Sequence, residues 1–224
     1  MNLARANVFD ILGPIMVGPS SSHTAGAVRL GIMARKILGV EPDKAEIRLH
    51  GSFAETGKGH GTNLAFAAGL MGMGTDDERI PQALALAKEK GLDIQFTSAD
   101  LGDVHPNTAE FHLRAQDGRS AVVLGSSIGG GQIKIVAING FPVEISGDYP
   151  TLVILHRDLP GVVAQVTSLL ATAQVNIAQM RVSREKRGAQ ALTIVETDQP
   201  LDSSVMLLLR KLPAVVQAIA VDLG

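Results

Sequence analysis

The chain of 224 residues contains no cysteine and no tryptophan, and aromatic residues make up only 3% of it. Without cysteine the chain can form no disulfide, offers no thiol nucleophile and cannot ligate zinc or an iron–sulfur cluster through thiolates of its own. The scarcity of aromatic rings leaves almost nothing on which nucleic-acid bases could stack. These absences exclude several classes of redox, metal-binding and nucleic-acid-binding protein.

Charge and long hydrophobic runs are also scarce. Charged residues make up 19% of the chain, the net charge is −2, and no block of like charge occurs, so a nucleic-acid surface is not expected. No apolar run approaches the ~20 residues of a membrane span. The first five residues contain no signal-peptide core. We therefore expect a soluble cytoplasmic protein with neither a membrane nor a nucleic-acid partner.

The chain is rich in hydrophobic residues and in glycine. Hydrophobic residues make up 46%, which is enough to bury a core, and the 24 glycines are clustered. Gly and Pro punctuate the segment 147–150 just before a new apolar run. We therefore predict two domains, residues 1–148 and 149–224.

The C-terminal part shows the pattern of a split βαβ, or ferredoxin-like, domain, with the element order β-α-β-β-α-β in about 75 residues. Pro160 is expected to open the first helix, and Asp202 or Ser203 to cap the second, which Pro213 stops. The predicted strands are 151–156, 175–183, 189–197 and 214–222, and the predicted helices are 160–173 and 203–211.

The N-terminal part alternates helices and strands and predicts an α+β domain with a mixed or antiparallel sheet. In 109–115 apolar and polar residues alternate, so one face of this strand is expected to be wet. The predicted helices are 24–38, 62–73 and 81–90, and the predicted strands are 46–50, 94–98, 109–115, 120–124 and 133–138.

The first candidate site is GPSSSHT at 18–24, just ahead of the first clear helix. Free N–H groups and the helix dipole favour an anion there, so a substrate carboxylate or phosphate is the expected ligand. The simpler interpretation is a run of N-cap residues, but one serine would suffice for capping. The segment is not a nucleophile elbow, since G-x-S-x-G would need glycine where Ser22 stands.

The second candidate is HGSFAETGKGHGT at 50–62, predicted to be a loop that links a strand to a helix. Its spacing fits neither a P-loop nor the dinucleotide fingerprint. Lys58 and His60 are each flanked by glycine, which favours close approach to a ligand. A solvated loop that uses glycine for its turns is the alternative.

Two further segments carry weaker signals. In HPNT at 105–108, His105 and Asn107 could bind a small polar ligand, although a turn with incidental polar residues is equally compatible. The glycine-rich segment 125–131 lies between two predicted strands and suggests room for a partner's backbone or a substrate. His112 and His156 lie on predicted strands and fit a structural or surface role. No metal site is predicted, because no H-E-x-x-H and no clustered carboxylate pair occurs.

Together, the segments 18–24, 50–62 and 105–108 resemble the beta chain of bacterial iron–sulfur-dependent L-serine dehydratases. The resemblance covers the whole chain. It implies an N-terminal domain of the allosteric-substrate-binding type, shared with some phosphoglycerate dehydrogenases, and a C-terminal ACT domain. The features that match the ACT domain are the segments 158–161 and 175–177.

This resemblance implies a lyase that converts L-serine to pyruvate and ammonia. It implies a [4Fe–4S] cluster carried by a cysteine-bearing alpha subunit and not by this chain, where an open iron position would act as Lewis acid on the serine hydroxyl. It also implies the following roles: His60, then Lys58 or His23, as catalytic residues and bases for the Cα proton, and Ser20, Ser21, Ser22, Thr24, His105 and Asn107 as the groups that bind the substrate.

Two alternatives stay open at this point. The same two domains could form a regulatory amino-acid sensor that binds serine without chemistry, as the kinship with phosphoglycerate dehydrogenases suggests. A Ser/His hydrolase is a weaker alternative, because the chain lacks an elbow and a placed acid. Self-association through the ACT domain is expected, because exposed strand edges favour continuation of a sheet.

Overall fold

A computed structural model of the chain describes residues 16–18, 20–56, 59 and 61–223. The chain forms two compact units, residues 1–135 and residues 136–224. This division falls earlier than the sequence boundary at 148, within the strand 132–138, whose sheet continues to Ile145. Among the described residues no helix is long and apolar enough to cross a membrane.

The first sheet is mixed, within the predicted α+β class. Its six strands are ordered β2-β1-β3-β4-β5-β6, with β1 parallel to β2 and antiparallel to β3. The strands are β1 (Lys44–Leu49), β2 (Asp93–Ser98), β3 (Thr108–Arg114), β4 (Ser120–Gly129), β5 (Gln132–Ile138) and β6 (Phe141–Ile145). On β3 the residues Phe111 and Leu113 are buried whereas Arg114 is exposed, which agrees with the predicted alternation.

Helices belonging to the first unit provide the rest of its core. A π-helical turn, Ser21–Ala25, leads into α1 (Gly26–Leu38), which ends where Gly39 adopts a left-handed conformation. The others are α2 (Gly51–Thr56), α3 (Thr62–Leu70) and α4 (Ala83–Glu89), the last preceded by a short 3₁₀ turn. The apolar stripe of α1 is buried: Ala27, Leu30, Ala34, Ile37 and Leu38.

Helices α1 and α3 cross at two glycines. A Cβ on Gly31 would lie 2.8 Å from the Phe66 carbonyl oxygen, and a Cβ on Gly69 would collide with the Val28 carbonyl oxygen. The two backbones can approach this closely only because both residues lack a side chain. The crossing therefore fixes the depth at which α1 lies against α3.

The second unit contains the predicted ferredoxin-like domain. Its four strands are antiparallel and ordered β10-β7-β9-β8, as a βαββαβ chain requires. The elements are β7 (Thr151–Arg157), α5 (Val162–Thr172), β8 (Ile177–Arg184), β9 (Gln190–Thr197), α6 (Ser203–Arg210) and β10 (Val215–Val221). Helix α5 begins two residues later than predicted, because Gly161 before it has a left-handed φ of 87°.

One core joins both helices to the sheet of this domain. Leu152 and Ile154 of β7 pack with Val166 and Leu170 of α5 and with Leu209 of α6. The apolar spacing in α5, at positions three and four apart, produces the buried face. A single buried layer therefore accounts for the stability of the βαββαβ domain without disulfides.

Candidate functional site

Residues 21–24 form the start of a long helix rather than lying ahead of it. The helix predicted to begin at Thr24 begins at Ser21, because a π turn closes with the Gly26 N–H donating to the Ser21 carbonyl. Ser20 is the N-cap, and its Oγ accepts from the His23 backbone N–H at 3.2 Å. Ser21, Ser22 and His23 are half-buried in this first turn. Short π segments are rare in proteins, and those that occur are often found at functional sites.

The imidazole of His23 is held by two hydroxyls from α2. Its Nε2 lies 3.0 Å from Thr56 Oγ1 and 3.2 Å from Ser52 Oγ. Its Nδ1 lies 3.4 Å from Ser20 Oγ. These contacts join the first two candidate segments, which are about thirty residues apart in the sequence, into one cluster.

Helix α2 corrects the interpretation of 50–62 as a loop throughout. Residues 51–56 form this helix. Ser52 and Thr56 are four residues apart and lie on one helix face, which is why both reach His23. Sequence reasoning missed both residues; the i, i+4 spacing of two hydroxyl residues is the signal that could have identified them.

The HPN turn packs against the start of α2. A Cβ on Gly51 would lie 2.7 Å from the Pro106 carbonyl oxygen, and the His50 N–H donates to the Thr108 carbonyl at 3.0 Å. His105 is exposed, and its Nδ1 accepts from the Asn107 N–H at 3.1 Å. The third candidate segment thus lies beside the second.

The end of β4 connects the HPN turn to the first helix. The Ser127 N–H donates to the Asn107 carbonyl at 2.9 Å, and a Cβ on Gly26 would collide with Ser127 Oγ. The predicted end of this strand at residue 124 was wrong, because residues 125–129 continue β4. Gly125 packs closely against the core: a Cβ there would lie 2.7 Å from a terminal methyl of Leu30.

Several buried polar atoms of this region have no hydrogen-bond partner among the described residues. They include Thr24 Oγ1, Asn107 Oδ1 and Ser127 Oγ. Thr24 is 3% exposed and Ser127 is fully buried. An unmade hydrogen bond on a buried group costs about 1–3 kcal/mol, so such atoms are natural contacts for a polar ligand.

A row of aromatic rings connects the His23 cluster to the core. The His23 ring meets Phe53 edge-on at 5.4 Å, Phe53 meets Phe66 at 5.3 Å, and Phe66 meets Phe111 at 5.2 Å. Edge-to-face geometry at these separations is the favourable one for aromatic pairs. The row therefore packs the imidazole against the fully buried rings of α2, α3 and β3.

The predicted catalytic residues Lys58 and His60 lie outside the described residues. The two histidines expected to be structural have partners within their own sheets. His156 is 2% exposed; its Nδ1 donates to the Arg157 carbonyl and its Nε2 accepts from Thr193 Oγ1, both at 2.8 Å. His112 is half-buried on β3, where its Nε2 lies 2.7 Å from Glu110.

The residues present do not fit an iron–sulfur cluster. The sequence has no cysteine, and within the described part of the chain no three His, Asp or Glu residues are grouped as metal ligands. Oxygen and nitrogen donors such as those around His23 suit hydrogen bonding to a small polar molecule.

Fold and cluster together define a class: a two-domain α+β protein with a hydroxyl- and imidazole-lined site in its first unit and a ferredoxin-like domain in its second. Comparison with known proteins narrows this class. The serine dehydratase beta chain family model matches residues 7–90, and the ACT domain model matches residues 150–214. The first match contains the segments 18–24 and 50–62.

Two relatives match nearly end to end. The chain is 45% identical over 211 residues to the "Probable L-serine dehydratase, beta chain" of Bacillus subtilis, covering 94% of this chain and 96% of the relative. It is 42% identical over 200 residues to the L-serine dehydratase beta chain of Peptoniphilus asaccharolyticus, covering 89% and 90%. The chain therefore belongs to the serine dehydratase beta chain family.

A more distant similarity is to a D-3-phosphoglycerate dehydrogenase of Synechocystis. It is 27% identical over 200 residues, which covers 88% of this chain and 36% of that protein. The similarity is therefore to part of a much larger protein.

Proposed function

We propose that this chain is the beta subunit of an L-serine dehydratase and completes a site that converts L-serine to pyruvate and ammonia. The observation that supports this most directly is the convergence of the family's segments: His23 of the first, which Ser20 also contacts, lies within hydrogen-bond distance of Ser52 and Thr56 of the second. The HPN turn packs beside them. Family membership supplies the reaction, and the cluster supplies groups suited to an amino acid.

Substrate binding is assigned to the helix start and the HPN turn. The hydroxyls of Ser20, Ser21 and Ser22 and the N–H groups of the first turn would hold the serine carboxylate, because the helix N-terminus favours negative charge. The buried Asn107 Oδ1 and Thr24 Oγ1 lack partners among the described residues and would accept from the serine ammonium. His105 would flank this end of the ligand.

Proton transfer at Cα is assigned to an imidazole or amine of this chain. The base removes the Cα proton as hydroxide leaves Cβ; the resulting aminoacrylate tautomerises to an imine, and water hydrolyses it to pyruvate and ammonia. A histidine is suited to this role near neutral pH, and His60 is the first choice because its GKGH loop resembles that of the family, with Lys58 and His23 as the other candidates.

The [4Fe–4S] cluster is assigned to a cysteine-bearing alpha subunit. This chain has no cysteine thiolate, and the donors among its described residues do not fit the cluster. The proposed division of labour is that the alpha subunit carries the metal and the beta subunit contributes hydrogen-bonding and proton-transferring groups.

A regulatory serine sensor is the second candidate. It is favoured by the similarity to a phosphoglycerate dehydrogenase over 88% of this chain and by the ACT domain. A sensor would bind serine at the same hydroxyl cluster without turnover.

The deciding experiment is co-expression with candidate cysteine-bearing alpha subunits, followed by a serine-to-pyruvate assay. We expect the purified chain alone to be colourless and inactive, and the assembled pair to form pyruvate. His112→Ala, which alters a histidine outside the cluster, is the matched control for histidine variants within it. Serine binding to this chain with no pyruvate from any pairing would favour the sensor, and about four irons per isolated chain would contradict the division of labour.

A further inference from the structure

We infer that Thr56 and Ser52 are positioning residues that hold the neutral His23 imidazole in one tautomer, with its proton on Nε2 and its lone pair on Nδ1. The inference deepens the proposed function. It rests on that function at one point, which is that His23 belongs to the reacting site. Neither residue is among the groups assigned above to substrate or to proton transfer.

The argument begins with the single proton of the Thr56 hydroxyl. Thr56 Oγ1 lies 2.6 Å from the Ser52 carbonyl oxygen, its neighbour one turn earlier in α2. A carbonyl oxygen can only accept, so the hydroxyl donates its proton there. Thr56 Oγ1 then presents lone pairs to His23 Nε2 at 3.0 Å, which means that Nε2 is the donor and carries the hydrogen.

The other contacts of the imidazole agree with this assignment. Ser52 Oγ, at 3.2 Å, offers a second acceptor to the same Nε2–H. On the opposite side of the ring, Ser20 Oγ accepts from the His23 backbone N–H and can donate its own proton to Nδ1, which lies 3.4 Å away. A neutral imidazole has one donor and one acceptor nitrogen, and the two sides of His23 supply the matching partners.

The consequence is a direction for proton transfer. With Nε2 engaged by α2, the basic atom of His23 is Nδ1, which faces the serine-rich helix start. Edge-on packing against Phe53 at 5.4 Å restricts rotation of the ring. Thr56 acts only through His23, in the way that an orienting group fixes the tautomer of a histidine base in other sites.

The test is nitrogen-15 NMR of the full chain with labelled histidine, at a pH where the imidazoles are neutral. The His23 signals are identified by their loss in His23→Gln. We expect the parent and Thr56→Ser, which keeps the hydroxyl, to show a protonated Nε2 and an unprotonated Nδ1. Thr56→Val, which keeps the shape, should shift both signals towards a tautomer mixture, and Ser52→Ala combined with Thr56→Val should shift them further.

Two results would overturn the inference: a proton on Nδ1 of His23 in the parent chain, or parent-like His23 signals in the folded double variant. Circular dichroism establishes that the variants are folded. If His23 is the base, kcat of the assembled enzyme should fall as the fraction of His23 that keeps its lone pair on Nδ1 falls. If the tautomer shifts as expected but kcat does not follow, the role of His23 in the proposed reaction fails while the positioning by Thr56 stands.

Discussion

At the scale of single residues, the choice of base between His60 and His23 has a kinetic signature. If His60 removes the Cα proton, His60→Ala should lower kcat by roughly 10²–10⁴-fold, the usual range for loss of a general base. KM should change little, because binding is assigned to Ser20–Ser22 and the HPN turn. The measurement is steady-state pyruvate formation by the assembled enzyme.

Lys58 provides the comparison for this prediction. A desolvated lysine can also titrate near neutrality, so Lys58→Ala tests the competing base and should show the smaller loss of kcat. Near-normal turnover of His60→Ala in an intact assembly would transfer the role to His23 or to the alpha subunit.

Glu196 of β9 makes stability depend on pH. Its side chain is 7% exposed, and burial, with smaller contributions from Asp148 and Glu144, raises the pKa of Glu196 above the ordinary 4.5. The native state therefore binds this proton more tightly than the unfolded chain, so stability falls as pH rises from about 4.5 through the raised pKa.

Replacing the Glu196 carboxyl by an amide should remove this loss of stability at higher pH. Glu196→Gln should unfold at higher urea concentration than the parent at neutral pH, and the difference should shrink as the pH approaches 4.5. The exposed Glu185→Gln is the control and should track the parent throughout. A Glu196→Gln advantage that is the same at every pH would show that packing, rather than ionisation, is responsible.

At the scale of elements, the crossing of α1 and α3 predicts an unusual response to alanine. Within a helix, alanine normally gains about 1 kcal/mol over glycine. At Gly69 the added methyl would collide with the Val28 carbonyl, so Gly69→Ala should instead destabilise by about 1–3 kcal/mol, the usual cost of overpacking. Urea unfolding measures the change, and a stability equal to or above the parent would contradict the crossing.

Regular elements with a clear apolar period could be predicted from the sequence, and two short elements could not. Helix α2 has six residues and buries only Phe53, so it shows no helical periodicity, and tertiary contacts must form it. Strand β6 contains Pro142, which argues against a strand; proline is tolerated there because β6 is the last strand of its sheet.

The residues of the candidate site also divide into those that the sequence could predict and those that it could not. The residues at the helix start and in the HPN turn could be selected from local sequence, because hydroxyl, imidazole and amide groups cluster there. Ser52 and Thr56 could not, because their contact with His23 depends on how α2 packs against a helix start about thirty residues earlier. The roles of Lys58 and His60 remain predictions.

At the scale of the whole molecule, we predict that the chain self-associates through its ACT domain. Strand β10 is at one end of the four-stranded sheet, and its Val216 is 57% exposed. An edge strand of this kind can pair with a second copy. The full chain should therefore sediment as a dimer, and Val216→Lys combined with Ala220→Lys should shift it towards the monomer.

Leu208, 50% exposed on α6, provides the control for this prediction. Leu208→Lys adds the same charge to the helical face and should leave the dimer intact. Dissociation by Leu208→Lys alone would place the contact on the helices, and a parent chain that is monomeric at high concentration would refute self-association.

The aromatic row that ends at His23 has a consequence for how the molecule opens. Its rings belong to α2, α3 and β3, so α2 cannot detach without separating Phe53 from Phe66 in the core. A helix of six residues would fray freely on its own. Because Phe53 ties α2 to this row, the amide hydrogens of α2 and α3 should exchange with solvent together, as one cooperative unit. The His23 imidazole should lose its alignment only when that unit opens.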